Sequence, residues 1–213
     1  MLDIICLPVS PFMQNCNILV CSETKEAAVV DAGDEADRII ATLEANHLIP
    51  KMLVNTHCHV DHASGVAELQ ERLGLPFYAH PDEAMILAGL LDSQGYFGFG
   101  DGKTPTPEYI LKEGVKLPLG NLTLEVIETP GHTPGGVCLL CGDHLFTGDT
   151  LFAGSIGRTD LPGGDSAVLM HSLEHTVMGF DDHLIVHPGH GPNTEIGREK
   201  QSNPFLQGFA GAR

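Results

Sequence analysis

The apolar positions fall in short runs divided by turn residues, and the runs alternate with amphipathic stretches. Residues 4–9, 17–21 and 27–30 are apolar and rich in β-branched side chains, which predicts three strands. The third run stops at Asp31-Ala32-Gly33, a turn signal, and Asp34 is then expected to cap a helix with Ile39, Ile40 and Leu43 on one face. A strand over 51–55 runs into Thr56-His57-Cys58-His59-Val60-Asp61-His62, and a helix over 63–73 follows, ended by Gly74. A strand over 76–79 and a helix over 81–91 come next. Residues 92–106 are rich in Gly and Pro and carry Tyr96, Phe97 and Phe99. They read as an exposed lid or binding loop, or as a surface excursion pinned by its aromatics. Strands resume over 115–117, 122–128, 137–141 and 144–147. A Gly-rich loop over 153–164, a helix over 166–178, a buried strand over 183–186 and a helix over 194–201 complete the pattern.

The two halves echo each other: strands, then a strand ending in a His/Asp loop, then a helix. No linker separates them. The expectation is one α/β domain over 1–213, with two strand-rich halves face to face and helices outside. No apolar run approaches the roughly 18 residues that span a bilayer, and the first residues read as a strand, not a signal peptide. Charge narrows the partners. The chain has 11 Lys and Arg against 28 Asp and Glu, a net of −17. That excludes a basic phosphate-tracking stripe for nucleic acid and argues against anionic membranes. Its six cysteines are too few for a disulfide scaffold, so reduced thiols in the cytoplasm are expected. Cys138 and Cys141 lie three apart in a strand pattern, on opposite faces.

The informative part of the composition is histidine, with twelve. In extended backbone, residues two apart share a side, so His57 and His59 can address one ion. Asp61 and His62 follow the turn into a helix and can address a second position. Cys58 points away and packs. Three further candidates each follow a predicted strand: His132 after Gly131, Asp149 after Gly148, and His190 after Gly189. The expected sets are His57, His59 and His132 for one ion and Asp61, His62 and His190 for the other, with Asp149 shared. Imidazole with carboxylate suits Zn first, with Fe or Mn as alternatives. Open ligand positions mark catalysis rather than structure. His171-Ser172-Leu173-Glu174-His175 also spells a helical zinc motif, but a solvated or capping role is expected there. His47, His80, His144, His183 and His187 are read as turn or strand-end residues.

With these residues in hand, the chain resembles the metallo-β-lactamase superfamily. His57-Cys58-His59-Val60-Asp61-His62, the Gly-His of 129–135, the Gly-Asp of 147–150 and the Gly-His at 190 match its metal motifs in order. Asp31 matches the superfamily's early aspartate, which supports the site from outside the ligand set. The resemblance implies a four-layer αββα sandwich. Thr129-Pro130-Gly131-His132-Thr133-Pro134-Gly135 and Phe146-Thr147-Gly148-Asp149-Thr150-Leu151-Phe152 are similar to glyoxalase II, the hydroxyacylglutathione hydrolases. Gly157-Arg158-Thr159-Asp160 and Pro188-Gly189-His190-Gly191-Pro192 look like its short single-domain subgroup.

That resemblance implies thioester hydrolysis by a hydroxide bridging two divalent ions, with S-lactoylglutathione first among substrates. Asp61 enters as a ligand and proton acceptor. Arg158 stands where glyoxalase II carries a basic substrate-binding residue; its other reading is a loop arginine paired with Asp160. The longer enzymes add a C-terminal helical domain with more basic residues and carry a tyrosine where this chain has Pro192. Thioester hydrolysis therefore survives the comparison better than glutathione selectivity. The rivals are a persulfide dioxygenase with one iron on His57, His132 and Asp149, a hydrolase of another ester or lactone, and a metal-binding module that presents the aromatic loop to a protein. Homo-oligomerisation is left open.

Overall fold

The computed structural model describes residues 1–209. Two six-stranded sheets pack face to face. The first takes the order β1 (Leu2–Val9), β2 (Gln14–Cys21), β3 (Glu26–Val30), β4 (Ile49–Val54), β5 (Phe77–Ala79) and β6 (Tyr109–Ile110). In the second, β14 (Thr194–Glu195), β13 (Ile185–Pro188), β10 (His144–Gly148), β9 (Val137–Cys141), β8 (Leu122–Glu128) and β7 (Lys116–Leu119) lie side by side. A small hairpin, β11 (Leu151–Phe152) and β12 (Ser155–Ile156), stands apart.

Period-two alternation builds the layers. Cys16, Ile18 and Val20 of β2 face the outer helices, as do Ala27 and Val29 of β3. Leu19, Ala28, Val30, Met52 and Val54 face the opposite way and meet Val126, Val137, Leu139 and Phe146 of the second sheet. Strands covered on both faces read as continuous apolar runs, which is why no polar alternation marks them in the sequence. Helices α1 (Ala36–Ala45), α2 (Val60–Ala63), α3 (Val66–Leu73), α4 (Ala84–Ala88) and α5 (Leu90–Phe97) lie on the first sheet's side. Helices α6 (Ser166–His175) and α7 (Ile196–Ser202) cover the second. The expected αββα sandwich is the fold observed. Cys138 faces α6 and Cys141 faces the inter-sheet core, so the two thiols sit on opposite faces as expected. No helix among the described residues is long and apolar enough to cross a membrane.

Several expectations need correction. Asp34 does not cap α1. The N-cap is Glu35, in left-handed backbone at φ 56° with no side-chain cap. The Gly65 N–H donates to the Ala32 carbonyl at 2.9 Å and pins that stretch, so the chain turns into the helix one residue later. The helix expected over 63–73 is two: α2 starts at Val60, and the chain breaks at Ser64 and Gly65 before α3. The Ser64 hydroxyl caps the first piece by donating to the Val60 carbonyl at 2.6 Å. Residues 81–91 form a 3₁₀ turn and α4, and α5 then extends into the segment expected to be loop. Gly89 marks the break. The buried strand begins at Ile185, leaving His183 outside it, and the last helix begins at Ile196 because Thr194–Glu195 adds an edge strand. The helix over 166–178 ends as α-helix at His175.

Candidate metal centre

Five strands deliver their C-terminal ends to one edge of the sandwich. β3 runs parallel to β4, and β10 parallel to β13. β8 and β10 are both antiparallel to β9 and so run the same way. The residues that leave these ends are Asp31, His57, His132, Asp149 and His190. Loops on a rigid sheet are held; here backbone bonds tie them across the sandwich. Val137 N–H donates to the Thr56 carbonyl at 2.9 Å, and Asn15 N–H to the Gly189 carbonyl at 2.7 Å. The Asn15 amide also donates to the Pro188 and Gly191 carbonyls, which fixes the turn around His190.

The predicted ligands converge. His57, His59 and His132 form one group, His57, His62 and Asp149 a second, and Asp61, His62 and His190 a third, with donor atoms in each within 4.8 Å of one another. Asp149 faces imidazoles of both expected sets: Oδ1 lies 3.4 Å from His62 Nε2, while Oδ2 lies 3.5 Å from His132 Nε2 and 3.8 Å from His190 Nε2. His190 Nε2 is 3.0 Å from Asp61 Oδ2. Close approach explains Gly189: a Cβ there would lie 2.2 Å from Asp149 Oδ1 and 2.7 Å from His62 Cε1.

Hydrogen bonds decide which nitrogens offer lone pairs. The Thr56 hydroxyl donates to Asp31 Oδ2 at 2.7 Å, so it accepts from His57 Nδ1 at 3.2 Å. His132 Nδ1 faces the Arg158 carbonyl at 2.7 Å and must donate. Both rings therefore carry their proton on Nδ1 and turn a bare Nε2 inward, the arrangement of a metal-ligating imidazole. His59 Nδ1 lies 2.9 Å from the bare His132 Nε2 and donates to it; a cation held by the two rings would take that proton's place. His57 Nε2 is buried without a hydrogen-bond partner, and His62 Nε2 and Asp149 Oδ1, buried 3.4 Å apart, pair as charges without forming a hydrogen bond. Buried polar atoms left unpaired cost about 1–3 kcal/mol each. Their convergence, with a donor set of imidazole and carboxylate, fits a divalent cation.

Electrostatics point the same way. Burial pushes the His57 imidazolium well down, with the neighbouring histidines adding to it. His59 is pushed down to about 3 by burial, then by His132 and His62. Burial also works against a charge on His62, but Asp149, Asp61 and Asp31 outweigh it and raise that imidazole well above its usual range. Burial would raise Asp61 and Asp149; His62 above all holds both carboxyls below the ordinary carboxylate value. A site that favours a proton among three carboxylates favours a divalent ion for the same reason.

Asp31 occupies left-handed backbone at φ 56°. From there its carboxylate accepts from Thr56 N–H at 2.7 Å and from the Thr56 hydroxyl, and its Oδ2 lies 3.2 Å from His62 Nδ1. It sits behind two histidines, where the resemblance placed it. Asp31→Asn is expected to weaken metal binding by about 10–100-fold, the usual effect of removing such a support. Competition with a chromophoric chelator measures it, and an unchanged affinity would detach Asp31 from the site.

The remaining candidates separate cleanly. Cys58 is buried in the core behind the loop. Arg158 grips Asp160 through two bonds of 2.7 Å, the pairing that was one of its two readings, while its carbonyl orients His132. His171 and His175 stack on each other at 4.1 Å, away from the cluster. His187 bonds His144 at 2.9 Å and stacks on Phe146. His80 Nε2 bonds Glu128 Oε1 at 3.0 Å. Three contributors went unread. Asn55 donates to the His57 and His62 carbonyls and shapes the loop from inside. Thr56 sets the His57 tautomer. Glu83 accepts from Cys58 N–H at 2.7 Å and from Gly135 N–H at 2.8 Å. Asn55 and Thr56 directly precede the motif and were within reach of a local reading; Glu83 has no motif around it.

A two-sheet sandwich with a His/Asp cluster at its shared strand ends is the arrangement of a metal-dependent hydrolase. The chain belongs to the metallo-beta-lactamase superfamily, whose family model matches residues 9–190. It is 37% identical over 204 residues to the hydroxyacylglutathione hydrolase GloC of Haemophilus influenzae, covering 94% of this chain and 96% of that one. Among solved structures, it is similar to the BLEG-1 B3 metallo-beta-lactamase, with a TM-score of 0.88 and 35% identity over 96% of this chain and 99% of the other. It is also similar to TTHA1623 in a di-iron-bound form, with a TM-score of 0.87 and 37% identity over 95% of this chain and 100% of the other.

Proposed function

We propose that the chain hydrolyses thioesters with two divalent ions, zinc first among the candidate metals, and that S-2-hydroxyacylglutathiones such as S-lactoylglutathione are the first compounds to assay. The observation that carries this reading is Asp149, whose two carboxylate oxygens face histidines of both ligand sets. His57, His59 and His132 would hold one ion, and Asp61, His62 and His190 the other, with Asp149 between them. Bound divalent ions supply a Lewis acid for the carbonyl and lower the pKa of water from 15.7 to about 7.

The protein's own part is positional. Thr56 and the Arg158 carbonyl fix the inward nitrogens of His57 and His132. Asp61, held as a carboxylate by His62 and His190, would give the second ion an anionic ligand. The leaving group chooses the substrate class. A thiolate, with an intrinsic pKa near 8.5, departs without a proton. An amide nitrogen requires one, and the cavity over the cluster is lined by no Lys, Tyr or Glu among the described residues. The third ligand group, Asp61, His62 and His190, has no task in a one-iron dioxygenase, which favours the hydrolase. The similarity to GloC supports the same substrate class.

Metal analysis and a thioester assay on one preparation test the proposal. About two ions per chain and turnover of S-lactoylglutathione or a related thioester are expected. A metal-replete chain that cleaves no thioester overturns it.

A further inference from the structure

Over the cluster opens a cavity of about 660 Å³ whose floor includes His59, Asp61, His132, Asp149 and His190. That size suits a whole small-molecule ligand rather than a water-filled slot. Its walls are apolar. Phe12 comes from the turn between β1 and β2, Ile86 from α4, Leu90 and Phe97 from α5, and Phe152 and Ile156 from the β11–β12 hairpin. Phe12 and Phe97 meet edge to face at 5.1 Å at the mouth, where they remain 41% and 48% exposed. Met85, another wall residue, is 55% exposed. Large apolar side chains left in water beside a polar cluster mark a surface built to be covered.

The hairpin wall is held in place. The buried carboxylate of Glu199 accepts from Gly154 N–H at 2.8 Å, and the Asn203 amide donates to the Ser155 carbonyl at 3.0 Å. That wall of the cavity is therefore fixed by the protein's own bonds. Its charge is as informative as its shape. Outside the ligand cluster, the charged lining residue among those described is Arg158, and Asp160 already neutralises it through two bonds. A thiol bearing two carboxylates finds one side-chain cation here, an exposed arginine already shared with Asp160. An uncharged chain finds aromatic and aliphatic walls.

We propose that the thioester cleaved by this chain carries an apolar arm, aliphatic or aromatic, and that this cavity binds it. This rests on the thioesterase reading and sharpens it: the specificity lies in an apolar group beside the scissile carbonyl rather than in recognition of a charged peptide. The arm comes from the acyl side or the thiol side, and the two are separable.

Two substrate series decide it. In one, acetyl, butanoyl, hexanoyl and phenylacetyl groups are carried on one small uncharged thiol. In the other, lactate is carried on thiols of rising chain length, with S-lactoylglutathione as the charged member. Rise of kcat/KM by up to about fourfold per added methylene is expected in one series until the cavity fills. The series that rises names the arm. Uncleavable thioether analogues of both series, titrated by calorimetry, are expected to show the same trend in Kd. Ile86→Trp, checked for fold by circular dichroism and for metal content, is expected to flatten the trend. Cleavage with no chain-length dependence, or a trend that survives Ile86→Trp, overturns the apolar arm and leaves the thioesterase reading standing. If no thioester is cleaved but the analogues bind with the trend, the apolar site stands and the thioesterase reading falls. No cleavage and no trend overturns both.

Discussion

Asp149→Asn is expected to lower kcat/KM by more than about 100-fold and to reduce the metal retained per chain. Removing a group that only orients a ligand costs about 10–100-fold in affinity or activity. Asp149 stands closer than that. Its two oxygens face His62, His132 and His190 at 3.4, 3.5 and 3.8 Å, so one carboxylate serves both expected ion positions. The carboxamide removes the charge and turns a donor N–H₂ toward nitrogens or cations that need an acceptor. Shape is nearly unchanged, and Gly189 still leaves room, so loss of fold is not the expected outcome. Metal content by elemental analysis and turnover of the best thioester are measured on the same samples. Both should fall together. Full metal with lost turnover would make Asp149 a group that shapes the reaction alone, and full activity would remove it from the centre.

The site was more legible in the sequence than the helices were, and the reason is distance along the chain. His57, His59, Asp61 and His62 lie within six residues, where extended backbone and the helix turn that follows decide which side chains share a face. His132, Asp149 and His190 were found because each follows a strand and a glycine. Their gathering is then a matter of strand direction, which the parallel pairs β3–β4 and β10–β13 supply. The helix breaks were not legible in the same way. Nothing local says that the Gly65 N–H will bond the Ala32 carbonyl rather than continue a helix; that partner lies 33 residues earlier. The loop expected over 92–106 begins as helix because Leu90 finds a buried place in the core, a tertiary gain that outweighs the weak helix formers Ser93 and Gly95. Arg158 had two readings of equal standing, and only the loop's folded course brings Asp160 onto its guanidinium. Glu83 is the extreme case: its partners are backbone N–H groups, which leave no trace in the sequence.

Glu83→Ala is expected to destabilise the metal-free chain by about 2–6 kcal/mol and, separately, to weaken metal binding by about 10–100-fold. Glu83 is fully buried. One oxygen accepts from Cys58 N–H, between His57 and His59; the other accepts from Gly135 N–H, on the loop that carries His132. The carboxylate thus staples the two loops that supply the first histidine set. The contact is tight: a Cβ on Gly135 would lie 2.9 Å from Glu83 Oε1. Burial raises this carboxyl above its ordinary range, although the bonds from Cys58 and Gly135 N–H pull it part of the way back. Alanine leaves two buried N–H groups without acceptors, at about 1–3 kcal/mol each. Glutamine keeps the shape and one acceptor but sets an N–H₂ against the other N–H, so Glu83→Gln is expected to lose roughly half of that stability. Denaturant unfolding of metal-free samples reads the first effect, and chelator competition reads the second. A staple for the histidine loops must move both, and the glutamine variant must fall between. If stability drops while metal affinity holds, the two loops keep their geometry without Glu83, and its place is in the core rather than in positioning the centre.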